Sequence, residues 1–562
     1  MDQRETAGGE SLPQEKDWLE TEGLDFTAAQ PRAERLDRLL QQQEELAAFS
    51  REKLKQAVLD GLCLVDGEPC ADPSRKIRQG QRIIFIPPAQ HTELAPSHAP
   101  VDVAYEDADI AVVNKPAGLT VHPCPSCTEE TLIHRLLGRF PKLAEQGGLR
   151  PGIVHRLDKD TSGLMLVALS ERARLKLIQD FAGRKVHKTY LALVRGVPPL
   201  QGQCAEPIGR HPQCKVKMAV TPSGREALTE WKRLYASEDG RFSLLALRLH
   251  TGRTHQIRVH MQHEGYPLLG DALYGASPKP AAWQDPAPRQ MLHAWRLSFS
   301  HPVTGEALAF ACPPPDDFWE TARLAHRRMT RLILTGCPGC GKSAFLRALE
   351  AEGVPVWSSD AEVKRFYAPG GEVASVLRMR YGSRFIAEDG SVSKAALSKA
   401  MKEEPGFRAS LEGIVHPLVG ASRERFFAQN EAAGLMLAAA EVPLWFETAE
   451  ARAKAGHPAA GPTIVAGVHC EQPVRYKRLA EIRGWTPETI AAIDSWQWPE
   501  AQKMAACDRV VDNSGTLEDL QRATALLVQD LHRQIAETEE RWLLDLQKQL
   551  ENEPWDSAGR QE

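Results

Sequence analysis

The sequence has no long apolar run and no apolar N-terminal segment. Its longest apolar stretch, near residues 434–446, is interrupted by Glu441 and is too short to span a bilayer. The first ten residues, MDQRETAGGE, are polar and acidic and lack the apolar core of a secretory signal. Both absences predict a cytoplasmic protein.

The sequence also has few cysteines and no excess of positive charge. Eleven cysteines in 562 residues are too few for a disulfide scaffold. Two CxxC pairs occur, Cys124 with Cys127 and Cys337 with Cys340, but structural zinc needs four ligands and the pairs fall in separate predicted domains. A shared zinc site is therefore not expected, although a metal or redox role of the first pair stays open. The formal net charge is −5, so binding of nucleic acid requires a local basic face.

The length of the chain and its composition predict several domains. Domains usually contain about 100 to 200 residues, so the sequence has room for three or four folding units. The predicted parts are a disordered tail (1–30), a small α+β module (31–90), an α+β domain on a mixed, largely antiparallel sheet (91–325), an α/β domain on a parallel, doubly wound sheet (330–535) and a C-terminal helical tail (536–562).

Asp158 lies at the centre of RPGIVHRLDKDTSGLM (150–165). An unpaired carboxylate in a protein core costs several kcal/mol, so we expect this side chain to face a cleft. Three further blocks accompany it, namely NKPAGLTVHP (114–123), KTYLALV (188–194) and TGRTHQIRVH (251–260). These blocks and their order along the chain resemble those of the RNA pseudouridine synthases, the large family that modifies ribosomal and transfer RNA.

The resemblance implies roles for four residues. Asp158 would attack or stabilise the sugar or the base, and Arg258 would pair with it and keep it ionised. Tyr190 would stack on the uracil near the C5 proton, and Arg156 would fill the space that the extruded base leaves. The isomerisation consumes no external reagent and needs no cofactor. Taken singly, Tyr190 also fits core packing, and His255 with Arg258 also fits a surface pair at helical spacing.

The small module before this domain carries basic residues on two predicted helices, RLDRLLQQQ and SREKLKQAVLDG, the second with Ser50 as its cap. Short strands are predicted after them, at 63–65 and 82–86. This order resembles the compact RNA-binding module, first known from a ribosomal protein, that precedes many pseudouridine synthases, and it favours ribosomal RNA as the substrate. Alternatively, these basic residues form an ordinary solvent-exposed helix face with no role in RNA binding. Phosphate contacts are expected from Arg35, Arg38, Arg51, Lys53 and Lys55.

A second signature, GCPGCGKS (336–343), follows a predicted strand (331–335) and precedes a predicted helix (343–352). This is the context that a phosphate-binding loop of the type GxxxxGK[ST] requires. Backbone N–H groups and the helix N-terminus hold the phosphates, Lys342 neutralises them, and the Ser343 hydroxyl reaches Mg²⁺. The predicted nucleotide-binding residues of the loop are Gly336, Gly339, Cys340, Gly341, Lys342, Ser343 and Ala344.

Further stretches of the second half resemble dephospho-CoA kinase, which phosphorylates the ribose 3′-hydroxyl of dephospho-CoA with ATP. They are EGVPVWSSD (352–360), the IVHPLV block around His416, EVPLWFET (441–448), the Arg-rich segment 475–483 and RVVDNSG (509–515). The resemblance implies Asp360 as the base, Arg475, Arg478 and Arg483 as lid cations over the phosphates, and Asn513 near the adenine.

Asp360 follows a predicted strand, and the carboxyl ends of parallel strands meet at one edge of the sheet, which suits a base beside the γ-phosphate. The alternative is that Asp360 is the N-cap of the following helix. Ser358, Ala344 and Glu441 stand where this family usually has Asp, Thr and Asp. We therefore predict a bifunctional enzyme, and the alternative is an active synthase with a weakened, regulatory kinase-like domain. An RNA-binding protein without isomerase activity is a third hypothesis.

Overall fold

The computed structural model of the chain describes residues 24–46, 49, 51–87, 94–123, 129–146, 150–214, 216–275, 285–448 and 461–553. Cys124, Cys127 and Ser50 lie outside the described residues. We refer below to the N-terminal module, the central domain and the C-terminal domain, which contain three separate main sheets.

The N-terminal module is a small sheet covered by two helices. Its four-stranded sheet has the order β1-β6-β3-β4, and β2 pairs with β5. The predicted end of the disordered tail, residue 30, is wrong, because residues 24–27 form β1 and pair with β6. The elements are β1 Leu24–Thr27, β2 Glu34–Arg35, α1 Leu36–Gln41, α2 Arg51–Leu59, β3 Cys63–Val65, β4 Glu68–Pro69, β5 Lys76–Ile77 and β6 Arg82–Phe85.

The central domain is built on a mixed, nine-stranded sheet. Along the sheet the order is β11-β14-β15-β10-β16-β9-β8-β7, and β17 pairs with β16. Only the contact of β16 with β9 is parallel, so the predicted sheet type is confirmed. The strands are β7 Asp102–Glu106, β8 Ile110–Lys115, β9 Ser162–Ala168, β10 His187–Arg195, β11 Gln201–Cys204, β12 Ile208–Arg210, β13 Met218–Val220, β14 Thr229–Ala236, β15 Phe242–Leu249, β16 Leu292–Ser300 and β17 Ala307–Ala311. The helices are α3 Leu132–Arg139, α4 Glu171–Ala182, α5 Gln256–His263 and α6 Asp316–His326.

Both faces of this sheet are buried. Side chains alternate along a strand, so Ala111 and Val113 of β8 pack in one apolar cluster while Ile110 and Val112 pack in another. The first cluster also contains α3 and the start of the segment that carries Asp158. The sheet thus forms a fixed base under this segment.

A buried histidine makes the central sheet sensitive to acid. His293 is 1% exposed, its Nε2 donates to the Cys312 carbonyl, and its Nδ1 accepts from the Ser162 hydroxyl. Burial lowers the pKa of His293 to about 4. The unfolded chain binds this proton from about pH 6.5 downward, whereas the folded chain does not, so stability is full above pH 6.5 and falls as the pH approaches 4.

We expect this histidine to remove about 3 kcal/mol of stability between pH 6.5 and pH 4. Urea unfolding of the full chain, followed at several pH values, measures the effect. The variant His293→Gln carries no titrating group at this position and should show a flatter pH dependence over the same window. Equal slopes for both proteins would contradict the assignment.

The C-terminal domain has a five-stranded, fully parallel sheet in the order β19-β20-β18-β21-β22. Helices cover both faces, which confirms the predicted doubly wound class. Its strands are β18 Thr330–Thr335, β19 Val356–Ser358, β20 Leu437–Glu441, β21 Thr463–His469 and β22 Arg509–Asp512. Its helices are α7 Lys342–Ala351, α8 Ser359–Tyr367, α9 Glu372–Tyr381, α10 Lys394–Glu403, α11 Phe407–Ala432, α12 Gln472–Arg483, α13 Pro487–Asp494, α14 Glu500–Ala505 and α15 Leu517–Glu551. Among the helices of the described ranges, none offers an apolar stretch sufficient for a bilayer.

The last helix, α15, belongs to two domains at once. Its first turns pack on α7 and on the parallel sheet through residues such as Leu527. Its last turns reach the central domain, where Leu546 and Leu550 are buried against β10 and α6. The tail predicted for 536–562 is therefore not a separate element, because its first sixteen residues, 536–551, continue a helix that begins at Leu517.

Candidate functional sites

Asp158 lines a cavity of about 340 Å³ in the central domain. Its side chain is 15% exposed, so the carboxylate is partly sheltered and still accessible. Arg156, an exposed residue two positions earlier, lines the same cavity, and its insertion into an RNA stack stays a prediction. The lining residues are Thr120, Val121, His122, Arg156, Leu157, Asp158, Lys159, Asp160, His255, Arg258, Ala272, Leu273 and Gln290.

Arg258 of α5 stands between two carboxylates. Its Nη1 donates to Asp158 Oδ2 at 3.1 Å, which is the predicted pairing. Its Nε and Nη2 donate to the two oxygens of Asp271 at 2.7 and 2.9 Å. Burial opposes the charge of Arg258, but the hydrogen bonds and charges of the two aspartates outweigh it and raise the pKa of the guanidinium. Asp271, which is fully buried, therefore fixes the cation that faces Asp158.

Two further cations hold the backbone on the C-terminal side of Asp158. Lys115, at the end of β8, is fully buried and its ammonium donates to the carbonyls of Pro116, Leu119 and Lys159. Arg289 donates from Nη1 to the Asp160 carbonyl at 2.9 Å. Burial lowers the pKa of Lys115 to about 7, although three carbonyl partners match the three protons of an ammonium ion.

Tyr190 lies in the apolar core beside the cavity. Its side chain is in the same buried cluster as Leu157, a lining residue of the cavity, and it is 5% exposed. Burial, with a contribution from the charge of Asp158, raises the pKa of the phenol above its usual value. The ring thus stays neutral, which suits the predicted stacking on a base. Its direct contact with a uracil stays a prediction.

His255 lies in the site and is not half of a surface pair with Arg258. It lines the cavity, its side chain is 18% exposed, and Nε2 lies 4.0 Å from Asp158 Oδ1. By contrast, His155 and His260 are structural. His155 accepts the Leu166 N–H, and burial lowers the pKa of His155 to about 3. His260 is fully buried and contacts Thr229 and the Glu206 carbonyl.

Two of the predicted RNA-binding residues of the N-terminal module form ion pairs inside the module. Arg35 and Arg51 both donate to Asp37, which is fully buried. Burial would raise the pKa of Asp37, but these hydrogen bonds outweigh it and the pKa is lowered. Both arginines therefore have a structural role, and each side chain keeps more than a third of its surface exposed.

Arg35 and Arg38 line a surface depression of about 350 Å³ together with Arg32 and Lys76. Sequence reasoning missed the last two, because they lie outside the predicted helices. Lys53 of α2 is described but is not a lining residue of this depression. The chain as a whole carries a negative net charge, but four cations in this concave surface form a local basic face.

The phosphate loop connects β18 to α7 as predicted, and Gly339 and Gly341 have φ angles of +79° and +98°. These angles favour glycine. The Lys342 ammonium donates to the carbonyls of Gly336 and Cys337 at 2.9 and 3.0 Å, while Ser343 is exposed at the helix start. Across the described residues, no group of three His, Cys, Asp or Glu side chains is placed to hold a metal ion.

Asn513 and Arg478 hold the outer side of this loop. The Asn513 amide donates to the Cys340 carbonyl at 2.8 Å, and Arg478 Nη1 donates to the Asn513 carbonyl at 2.8 Å. Arg475 is not a lid cation, because it is 4% exposed and paired with Asp494 at 2.5 Å. Arg483 is exposed and lies over the Trp485 ring.

Three oxygen-bearing side chains meet at the carboxyl edge of the parallel sheet. Asp360 is exposed in the first turn of α8, and the N-cap of that helix is Ser358, so the N-cap alternative for Asp360 is wrong. The Ser358 hydroxyl donates to Glu441 Oε2 at 2.9 Å, and Glu441 is 2% exposed. Burial raises the pKa of Glu441 against the opposing charge of Lys342 and the Ser358 hydrogen bond, and the charge of Asp360 adds to the rise.

Comparison with known proteins agrees with both halves. The family model for RNA pseudouridylate synthase matches residues 109–263, and the model for dephospho-CoA kinase matches residues 331–519. An uncharacterized RNA pseudouridine synthase of Aquifex aeolicus is 41% identical over 297 residues, or 51% of this chain and 92% of that protein. Ribosomal large subunit pseudouridine synthase D of Pasteurella multocida is 39% identical over 296 residues, or 51% of this chain and 90% of that protein. The solved dephospho-CoA kinase from Campylobacter jejuni is 16% identical, covers 36% of this chain and 98% of its own, and gives a TM-score of 0.27.

The two family matches cover the two candidate sites. The first contains Asp158, Tyr190 and Arg258, and the second extends from the phosphate loop to beyond Asn513. The similarity to the bacterial synthases extends over nearly the whole length of those proteins. The chain is therefore an enzyme that belongs to the RNA pseudouridine synthase family and carries a dephospho-CoA kinase domain behind its synthase domain.

Proposed function

We propose that the chain catalyses two reactions: conversion of uridine to pseudouridine in ribosomal RNA, and ATP-dependent phosphorylation of the 3′-hydroxyl of dephospho-CoA. The observation that carries the first activity is the accessible Asp158 carboxylate, held at 3.1 Å by Arg258 in a cavity of about 340 Å³. Both substrates are cytoplasmic molecules, so the proposal includes a cytoplasmic location.

In the isomerase reaction, the bond between uracil N1 and ribose C1′ breaks, the base turns, and C5 bonds to C1′. C5 then loses its proton and N1 takes one up, so that the product is an isomer of the substrate. Asp158 attacks or stabilises the sugar or the base while Arg258 donates a hydrogen bond to it. Tyr190 supports the uracil face, and Arg156 occupies the space left in the RNA stack. No cofactor is required for any of these steps.

Ribosomal RNA is the proposed substrate for two reasons. Several relatives, including the Pasteurella multocida protein, carry the name ribosomal large subunit pseudouridine synthase D. The basic depression of the N-terminal module, with Arg32, Arg35, Arg38 and Lys76, offers phosphate contacts. Arg51 and Lys53 of α2 are proposed as further phosphate contacts.

The isomerase proposal is tested with the full chain and ribosomal RNA from cells that lack this protein. We expect the wild-type chain to form pseudouridine at defined positions, measured by chemical mapping, and Asp158→Asn to form none while still binding the RNA. Product formation by Asp158→Asn at the wild-type rate would refute the assignment of the carboxylate.

In the kinase reaction, the loop N–H groups and Lys342 hold the ATP phosphates. Asp360 is the proposed base for the attacking hydroxyl, and Arg478 and Asn513 support the loop. Hydroxyl and carboxylate oxygens suit Mg²⁺, so Ser343 and the edge carboxylate Glu441 would hold this ion while Asp360 acts as the base. When bound, Mg²⁺ would neutralise charge on the phosphates.

The alternative is a regulatory, weakened kinase domain. It is favoured by the Ser358–Glu441 contact, because a serine and a longer carboxylate replace the two aspartates usual in the family. ATP-dependent formation of CoA from dephospho-CoA by the full chain, and its loss in Asp360→Asn, would support the active kinase. Binding of ATP without turnover would support the regulatory alternative.

The phosphate loop allows a matched test of nucleotide binding. A methyl group on Gly341 would overlap the Asn513 amide, whereas one on Gly353, which also has a positive φ of +79°, meets nothing within 4 Å. Both substitutions carry similar backbone strain of about 1 kcal/mol. We expect Gly341→Ala to weaken ATP binding by at least about tenfold and Gly353→Ala to leave it unchanged, as measured by titration calorimetry. Equal affinities would show that the Gly341–Asn513 contact does not shape the site.

A further inference from the structure

His255 has a backbone conformation that is unusual for its position. It is the N-cap of α5, with φ 56° and ψ 20° in the left-handed region, and its side chain makes no capping hydrogen bond. An N-cap side chain ordinarily accepts an N–H of the first helical turn. Non-glycine residues in the left-handed region cost on the order of 1 kcal/mol and are frequent at functional sites. The ring of His255 is directed elsewhere.

One nitrogen of the ring is held by a buried tyrosine. Nδ1 lies 2.8 Å from the Tyr274 hydroxyl, and the two rings meet edge to face at 5.6 Å. The Tyr274 oxygen also accepts the Met218 N–H at 2.8 Å, which leaves its phenolic proton available for Nδ1. A neutral imidazole has one donor nitrogen and one acceptor nitrogen. When Nδ1 accepts, Nε2 carries the proton.

Nε2 faces the cavity on the side of Asp158. The distance of 4.0 Å to Asp158 Oδ1 is longer than a hydrogen bond, so the two groups do not satisfy each other directly. A substrate oxygen therefore has access to the N–H. This arrangement is tied to the catalytic pair, because the Tyr274 N–H donates to Asp271, the carboxylate that holds Arg258.

The ring remains neutral in these surroundings. Burial lowers the pKa of His255, and Arg258 and Arg156 act in the same direction, while Asp158 and Asp271 oppose them. A neutral ring donates a proton to a hydrogen bond without forming an ion pair that would quench Asp158.

We propose that His255 is a further catalytic residue of the isomerase site, whose Nε2–H binds a carbonyl oxygen of the extruded uracil. When the N1–C1′ bond breaks, its electron pair passes to the uracil and spreads onto the carbonyl oxygens. The hydrogen bond stabilises this charge, and the proton stays on Nε2 throughout. Asp158 acts at the same time on the electron-poor sugar. The inference rests on the proposed isomerase function.

The test compares four full-length proteins in pseudouridine formation on ribosomal RNA: wild type, Asp158→Asn, His255→Ala and His255→Gln. Loss of one donor to a developing charge typically lowers kcat by about 10²-fold. We expect this loss in His255→Ala with an RNA KM within about threefold of wild type. The glutamine amide can replace the Nε2–H, so His255→Gln should keep at least about a tenth of the wild-type kcat. Melting temperatures verify that the variants are folded.

The outcomes separate the two proposals. An active wild type, an inactive Asp158→Asn and an unaffected His255→Ala would overturn the role of His255 and leave the isomerase function standing. Equal losses in the alanine and glutamine variants, with unchanged melting temperatures, would also overturn the donor role. Inactivity of the wild type on RNA would overturn the function on which the inference rests.

Discussion

Arg258→Met is expected to lower uridine isomerisation by about 10³-fold and to destabilise the central domain. The arginine donates three hydrogen bonds to two carboxylates, and both its side chain and that of Asp271 are nearly or fully buried. Removing one partner of a buried pair leaves the other charge without compensation, at about 3 to 5 kcal/mol. Asp158 would lose its cation in the same variant. Activity and stability should therefore fall together.

A second substitution separates these two effects. In the double variant Arg258→Met, Asp271→Asn, the buried charge is gone, so most of the lost stability should return. The isomerase activity should not return, because Asp158 still lacks a cation. Urea unfolding and initial rates of pseudouridine formation measure the two quantities on the same preparations.

A suitable control is Arg174→Met on the surface of α4, where the arginine pairs with Glu171 one helical turn earlier. Exposed pairs of this kind contribute about 0 to 1 kcal/mol, so both stability and activity should stay near wild type. Recovery of activity in the double variant would contradict the role assigned to Arg258. Failure of Asp271→Asn to restore stability would show that the buried charge is not the cause of the loss.

Local sequence patterns were sufficient for the fold class, whereas the catalytic roles of the site residues stay predictions. The run LILTGCPGCGKS predicts a strand, a phosphate loop and a helix because each feature depends on neighbouring residues. The same holds for β9, in which every residue is buried, and for the apolar run YLALV inside β10.

The resemblance gave the distant contact of Arg258 with Asp158, but the other contacts between distant segments could not be predicted. Asp271 follows α5 in a loop, and its neighbours in the sequence do not show that it holds Arg258. The one available hint was a carboxylate inside the otherwise apolar segment LLGDALYG, which indicates a buried partner. The role of His255 depends on a left-handed φ and on Tyr274, both set by the tertiary fold. Arg35 and Arg51 resembled solvated helix cations because their partner, Asp37, is recognisable only when the module is folded.

The continuity of α15 has the largest consequence for the whole chain. Glu539, in the middle of this helix, is 5% exposed and accepts hydrogen bonds from Arg323 and Arg327 at the end of the central domain. One turn further, Trp542 stacks on His326 at 3.8 Å between ring centres. The C-terminal domain thus supplies part of the core of the synthase domain.

We expect Glu539→Ala to reduce the stability of the full chain by about 3 kcal/mol, because both arginines are less than a third exposed and lose their common partner. The melting temperature of the central domain should fall by roughly 5 to 10 °C. Glu537→Ala, two residues earlier on the same helix, removes a carboxylate that is 60% exposed and 3.9 Å from Arg533, and should have almost no effect. Calorimetry of both variants measures the difference.

A shortened chain that ends at residue 535 extends this argument. It lacks Trp542, Leu546 and Leu550, so the apolar face of β10 and α6 loses its cover. Burial of such side chains contributes about 1.5 to 3 kcal/mol each, and the loss should exceed that of Glu539→Ala and lower isomerase activity at 37 °C. If the shortened chain melts and isomerises like the full chain, α15 does not stabilise the synthase domain and the two enzymes are joined only by their linker.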